Sequence, residues 1–275
     1  MAQSQLNPEV VLAVDENDDI RSELGSSIAS SSTSLRSSLL DYRVENGRTY
    51  HRYKDGKYNL PNDERESDRM DLVHQLWLLT LDDRLGVAPP CKEGTTVGRV
   101  LDVGTGTGIW ALNFGDEHPE ADVYGNDLSP IMPGHNIEPG GYLELQEMDL
   151  FPRSDDGTLK ADSAFLKWAN FLHEASVKFG RPYVEIAQIR DLMAKVGFED
   201  VTMSVYKWPS NSWPKDTKYK ELGIWNNENV LSGLEAFSMA PFTRALEWKP
   251  AEVSVFLIDV RKDVNDRSIH AYWPM

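Results

Sequence analysis

The chain has 275 residues, 40% of them hydrophobic, and a formal net charge of −16 from 28 Lys+Arg against 44 Asp+Glu. That is enough apolar residue for one large domain, with or without appendages. The acidic balance argues against broad electrostatic binding to nucleic acid, which needs a basic footprint. A single cysteine, Cys91, excludes an intramolecular disulfide and fits a reducing compartment. No apolar run is long enough to span a membrane, and Met1-Ala2-Gln3-Ser4 opens neither a basic nor an apolar leader, so an intracellular protein, cytoplasmic or nuclear, is expected.

Residues 1–33 are acidic and then serine-rich. Such a tail buries too little apolar surface to offset its ordering entropy and is expected to be disordered. A short helix is expected from Ser34 to Glu45, with Ser34 as cap, Gly47 as the left-handed C-terminal residue, and Leu35, Leu39 and Tyr42 on one face. Tyr50, Tyr53 and Tyr58 follow, read as packing residues first and pocket residues second. Asn62 is expected to cap a second helix whose first turn carries Asp63 and Glu64. Its apolar residues Leu72, Val73, Leu76, Trp77 and Leu79 recur at helical spacing to about Leu85, before Val87-Ala88-Pro89-Pro90 breaks it. His74 on this helix is read as packed. Residues 34–90 thus form an N-terminal helical region and 91–275 the main domain. Cys91 is read as structural because nothing near it in sequence marks it for activation.

The main domain opens with Arg99-Val100-Leu101-Asp102-Val103, the turn Gly104-Thr105-Gly106-Thr107-Gly108, and a helix from Ile109 to about Glu117 that stops before Pro119. Glycines without a Cβ let the backbone turn tightly and approach a ligand, and free N–H groups at the helix start face the turn. A second strand, Ala121–Asp127, ends in an acidic residue at the distance where a nucleoside site presents one to ribose hydroxyls. The pattern is Asp-x-Gly-x-Gly-x-Gly, with Gly108 two residues after Gly106, whereas the nicotinamide fingerprint leaves three. It resembles motif I of the class I S-adenosylmethionine (AdoMet) methyltransferases.

The resemblance is closer than fold class. Leu40–His51, Tyr58–Glu64, Leu101–Trp110, Asp127-Leu128-Ser129-Pro130 and Pro139–Glu147 are similar to the fungal LaeA-like methyltransferases, a group linked to regulation of secondary metabolism. The likeness covers most of residues 34–273. It implies an α/β, Rossmann-like seven-stranded AdoMet-binding sheet with N-terminal helices over the cofactor. In that frame Pro139-Gly140-Gly141 and Tyr142–Glu147 are the turn and fifth strand. Only residues 128–140 then separate the second strand from it. Extended at about 3.3 Å per residue they span the gap, but Pro130, Pro133 and Pro139 oppose a covering helix. The expected sheet is therefore depleted of its third and fourth strands, which in the family help hold adenine and line the methyl-transfer pocket.

Beyond a loop at Pro152 and Asp155-Asp156-Gly157, a helix is expected over Asp162–Phe179 with Phe165, Trp168, Ala169, Leu172 and Ala175 on its apolar face. A further helix over Val184–Val196 ends at Gly197. Alternation of Val201, Met203 and Val205 predicts a strand over Phe198–Trp208. Trp208–Trp225 reads as a substrate-side insertion, Glu228–Leu246 as a helix interrupted near Pro241, and Pro250–Val264 as a last helix. The family carries a final strand on from Ile269–Met275, so this end reads as shortened.

The resemblance implies AdoMet as cofactor. Gly104, Gly106 and Gly108 would carry its methionine part, with Thr105 in the same loop. Asp102 would order the loop, Asp127 would take the ribose hydroxyls, and Leu128 stands beside it. Transfer from a sulfonium needs positioning and a dry site, and a base only where the acceptor loses a proton. No catalytic acid or base is named; Glu144, Glu147 and Asp149 are candidates read first as solvated or structural. No His/Cys/Asp/Glu grouping has metal-ligand spacing. Three functions stay open: a methyltransferase acting on an unknown protein or small molecule, a non-catalytic remnant acting through protein partners, and, disfavoured by the glycine spacing, a nicotinamide-dependent oxidoreductase.

Overall fold

The computed structural model of the protein describes residues 42–51, 58–127 and 140–275. The expectations for residues 1–33 and 34–41, for Tyr53 and for the 128–139 link lie outside them. Within them the chain begins as a hairpin, strands β1 (Tyr42–Glu45) and β2 (Arg48–His51), paired antiparallel from Tyr42↔His51 to Glu45↔Arg48. This corrects the helix expected to end at Glu45. Asn46 and Gly47 both hold positive φ, +49° and +76°, which is the two-residue turn that matches strand twist rather than a helix C-terminus.

Helix α1 (Glu64–Thr80) is capped by Asp63, whose Oδ1 accepts from the Glu66 N–H at 3.1 Å. Asn62, the expected cap, instead donates its backbone N–H to Thr49 O at 2.9 Å and ties the helix start to the hairpin. The helix stops before Leu85 because Asp82 and Asp83 turn left-handed, with φ of +55° and +62°.

The main core is helical. Helices α3 (Ala164–Lys178), α5 (Thr217–Arg244) and α6 (Pro250–Asn265) pack with α1 around Phe165, Leu234, Phe242, Val253 and Val260, each fully buried. Ser163 and Asp216 cap α3 and α5 through side-chain oxygens. The break expected near Pro241 does not occur. Pro241 and Phe242 are buried in the last turn of α5, where a missing N–H removes one bond and no following helix has to be held. The helix also begins earlier than expected, at Thr217.

Strand β5 (Lys207–Pro209) pairs antiparallel with β6 (Tyr272–Pro274). Of the strand predicted over Phe198–Trp208, Lys207 and Trp208 pair with β6, and Tyr206 exchanges both backbone hydrogen bonds with Met275. The alternating Val201, Met203 and Val205 find no neighbouring strand among the described residues, and helix α4 (Ile186–Val196) before them buries no residue. The Trp208–Trp225 stretch is core rather than a substrate-side insertion, with Trp208, Trp213 and Leu222 buried. Trp208 Nε1 donates to Thr80 Oγ1 at 2.8 Å and its ring lies 5.2 Å from that of Trp77. Trp208→Phe keeps an aromatic ring and loses that bond, so a cost of about 1–3 kcal/mol is expected, read as a lower urea midpoint at unchanged slope.

The parallel unit consists of β3 (Arg99–Val103), α2 (Ile109–Glu117) and β4 (Asp122–Asn126), with β3 and β4 in register from Arg99↔Asp122 to Val103↔Asn126. A second, smaller core of Leu85, Val97 and Phe114 lies beneath it. Among the described residues the sheets are three separate pairs, so the continuous Rossmann-like sheet is not assembled. Tyr142–Glu147, expected as a strand, pairs with no strand among the described residues. A strand exists only through a neighbour's hydrogen bonds, and here the ribbon is held by side chains. The Glu144 carboxylate accepts from Val87 N at 2.9 Å and Ala88 N at 2.7 Å, and Gln146 Nε2 donates to Leu85 O at 2.9 Å. No helix among the described residues is long and apolar enough to cross a membrane.

Candidate functional site

The turn between β3 and α2 needs glycine at three positions. Gly104, Gly106 and Gly108 hold φ of +78°, +54° and +83°, a region where a Cβ is strained. The two neighbouring carboxylates are bonded to this turn. Asp102 Oδ2 accepts from Thr105 Oγ1 at 2.7 Å, and Asp127 Oδ2 accepts from the Gly106 N–H at 2.8 Å. Asp102, Gly104, Thr105, Gly106, Gly108 and Asp127 are therefore gathered at one place, while Leu128 lies outside the described residues. Gly125, not singled out from sequence, lets β4 pass close under the loop, because a Cβ there would lie 2.8 Å from Thr105 Oγ1.

Most of the loop's own donors are engaged. Gly104 N and Thr105 N both donate to Asn126 O, Gly106 N to Asp127, and Gly108 N to Thr105 O, all at 2.8 Å. The turn brings backbone close to whatever it faces, but most of its N–H groups are not available to an anion.

Helix α1 closes over the loop. Thr107 Oγ1 donates to Asp71 Oδ1 at 2.5 Å, and the Met70 thioether lies 3.3 Å from where a Cβ on Gly106 would stand. His74 Nε2 is 2.8 Å from Asn113 Nδ2 of α2. Burial lowers the His74 pKa against the opposing pull of Asp71 and Asp102, favouring the neutral ring. On the preceding segment, burial raises the Tyr58 phenol, and the negative charges of Glu66 and Asp127 raise it further against Arg69. Tyr58 thus stands within the field of both the loop carboxylate and α1. Of the α1 residues at this site, His74 was read as packed, and Arg69, Met70 and Asp71 were not singled out from sequence. Their one signal was polar side chains, Arg69, Asp71 and His74, interleaved with an apolar helical pattern.

Loop and helix border an open cleft of about 2050 Å³, also walled by Trp168 and Leu172 of α3 and by the 140–148 ribbon. That exceeds the roughly 300–1,000 Å³ of a small-molecule pocket. Its open side follows from the ladder. Bonds from Asp122 N to Gly98 O and from Gly104 N to Asn126 O direct the even-numbered backbone groups of β3 toward β4. Leu101 and Val103 then present theirs to the opposite edge, and their side chains are exposed.

The three candidate carboxyls differ. Glu144 is held by the 87–88 turn as described, and Asp149 Oδ2 accepts from Arg153 Nη2 at 2.8 Å. Glu147 faces solvent in the cleft, where the surrounding walls withdraw enough water to raise its carboxyl. The Cys91 thiol is pushed up to about 11, chiefly by burial and then by Glu144 and Glu117, so it stays protonated at neutral pH. Among the described residues no group of three or more His, Cys, Asp and Glu is placed to hold a metal ion.

Comparison with known proteins finds relatives along most of the chain. It is 37% identical to the methyltransferase pytC of Aspergillus terreus, over 88% of each chain. It is 34% identical to the secondary metabolism regulator LAE1 of Cochliobolus heterostrophus, over 83% of this chain and 91% of that one. It is 30% identical to the protein-methionine methyltransferase laeA of Emericella nidulans, over 84% and 74%. No family model matches the chain, and no solved structure matches it.

Proposed function

The chain belongs to the fungal LaeA-like methyltransferase family, and from that premise we propose that it binds AdoMet beside the β3–α2 turn and directs its methyl group to an acceptor in the cleft. AdoMet supplies, when bound, a methyl already activated by the sulfonium. The chain's own residues have the work of binding, orienting and excluding water. The residues present fit such a group on the loop side. Gly104 and Gly108 leave open space where a Cβ would stand, Met70 offers an apolar contact at Gly106, and Asp127 is the acceptor pair for ribose hydroxyls. The observation that carries the reading is the 2.8 Å bond joining Asp127 to Gly106, which holds carboxylate and turn against the same space.

The acceptor class follows from the relatives only as a proposal. The Emericella relative is named for methionine in a protein. A thioether has no proton to lose, so an acceptor of that kind requires no base. A link to secondary metabolism is proposed on the names of the LAE1 and laeA relatives.

Titration calorimetry with AdoMet tests the reading. One-site binding in the ~1 µM–1 mM range typical of enzyme substrates is expected. A folded sample that takes up NADH and not AdoMet would sink it. The non-catalytic reading keeps one specific support. The alignment to pytC runs over 289 positions, more than this chain possesses, so that relative carries residues without a counterpart here. Methyl transfer into any acceptor removes that alternative.

A further inference from the structure

Where α1 meets α5 on the cleft wall, one cation is fixed from several sides. Arg69 Nε lies 3.2 Å from both Glu66 carboxylate oxygens, and Nη2 lies 2.6 Å from Oε1. Its Nη1 donates to Asn229 Oδ1 at 2.8 Å, and Asn229 is held in turn by Asn226. The guanidinium stacks 4.8 Å over the Phe237 ring. Its stem passes where α5 is bare, since a Cβ on Gly233 would lie 2.8 Å from Arg69 Cδ. A guanidinium has five N–H donors. These contacts leave one on Nη1 and one on Nη2 without a partner among the described residues.

Asn59 lines the same cleft, and its side-chain oxygen is buried without a hydrogen-bond partner. A pair of donors on a planar cation suits a carboxylate, and a lone buried carbonyl suits an ammonium. Both line the cleft that the loop also lines. Met70, next to Arg69, is the residue that touches Gly106, and Tyr58, next to Asn59, feels both Asp127 and Arg69. The loop's own N–H groups are mostly engaged, so an anion brought to this site must find its donors elsewhere.

We infer that Arg69 and Asn59 seat the α-amino-acid end of AdoMet, Arg69 taking its carboxylate and Asn59 Oδ1 its ammonium. Glu66 and Asn229 are positioning residues that hold the guanidinium in place. The inference rests on the cofactor reading above and assigns to α1 and the segment before it a binding role at the end of the ligand away from the ribose.

Calorimetry on the full chain with three ligands tests it: AdoMet, decarboxylated AdoMet, which keeps the amine, and methylthioadenosine, which lacks both groups. Each lost group is expected to weaken binding by about 10- to 100-fold in the unmodified protein. Arg69→Gln should erase the preference for AdoMet over its decarboxylated form. Asn59→Ala should cut the preference of the decarboxylated form over methylthioadenosine by about 10-fold or more, the remainder belonging to the sulfonium charge and propyl chain that methylthioadenosine also lacks. Because Arg69→Gln strips Glu66 of its partner, the Glu66→Gln/Arg69→Gln double variant and the Asn59 arm carry the test if the single variant unfolds. A purely structural tie between α1 and α5 would lower the melting temperature and leave both preferences intact, which overturns the inference. Equal binding of all three ligands overturns it while sparing the cofactor reading, and binding of none overturns both.

Discussion

Asp63→Ala is expected to cost about 4 kcal/mol of stability, a large part of the ~5–15 kcal/mol typical of a folded domain. Two losses combine. The carboxylate caps α1 through the Glu66 N–H, and losing a cap costs about 1 kcal/mol. It also receives Arg48, whose Nη2 donates to Oδ1 at 2.7 Å and whose Nε contacts Oδ2. Arg48 is 8% exposed, and its Nη1 is buried with no hydrogen-bond partner, so Asp63 is what compensates the charge. Breaking a buried pair costs about 3–5 kcal/mol, taken here at the low end because the Asp63 side chain is 23% exposed. Asp63→Asn should keep the cap and lose the pair, and therefore fall between the two. The acid limb gives a second reading. The Arg48 hydrogen bond, followed by the Glu66 N–H, holds the Asp63 carboxyl below its ordinary value against the opposing effect of burial. A carboxyl depressed on folding stabilises fully above its unfolded pKa of about 3.9, and that stabilisation is lost as pH falls through the folded value. The difference between native and variant in urea unfolding should therefore shrink below about pH 4. A gap that stays constant into acid would show that the pair contributes nothing.

Asp63 also shows where the sequence is readable. Asn62 and Asp63 are both good caps, and local propensity does not choose between them. The choice is made by Thr49, which takes the Asn62 N–H, and by Arg48, both on the second strand of a hairpin whose first strand had been assigned to the end of a helix. The Asn46-Gly47 pair did carry a local hairpin signal, obscured by the fact that glycine also ends helices. Helices with a cap and one apolar face were legible to within a few residues, as α2, α3 and α6 show. The two strands beside the glycine turn, β3 and β4, were legible as well; the others were not, because a partner is what makes a strand. Val201, Met203 and Val205 alternate as well as any, and so does the ribbon at Tyr142–Glu147, yet neither has a neighbouring strand among the described residues. At the site, the glycines and Asp127 lie within 25 residues of chain and could be read together. Arg69 and Asn229 stand 160 residues apart, a juxtaposition that only the packing of α1 on α5 creates.

Asp127→Ala is expected to weaken AdoMet binding by about 10²- to 10⁴-fold with little change in folding stability. Hydrogen bonds donated by two ribose hydroxyls to a charged carboxylate are worth about 1.5–3 kcal/mol each, and every 1.4 kcal/mol is tenfold in affinity. The side chain is exposed, so its removal from the folded protein should stay within about 1 kcal/mol. The two effects separate because Asp127 sits at the end of β4, outside both cores, with its bond to Gly106 as its tie to the loop. Asp102→Asn is the informative comparison. Asp102 meets the loop through Thr105 Oγ1 and, on this reading, no ligand atom, so its variant should loosen the turn and lower affinity by a few-fold only. Calorimetry beside urea unfolding distinguishes the cases. If Asp127→Ala and Asp102→Asn lose affinity equally, the carboxylate at the tip of β4 is a loop anchor and the ribose lies elsewhere. If Asp127→Ala alone loses it, at unchanged stability, the turn and its carboxylate act on the ligand as one unit.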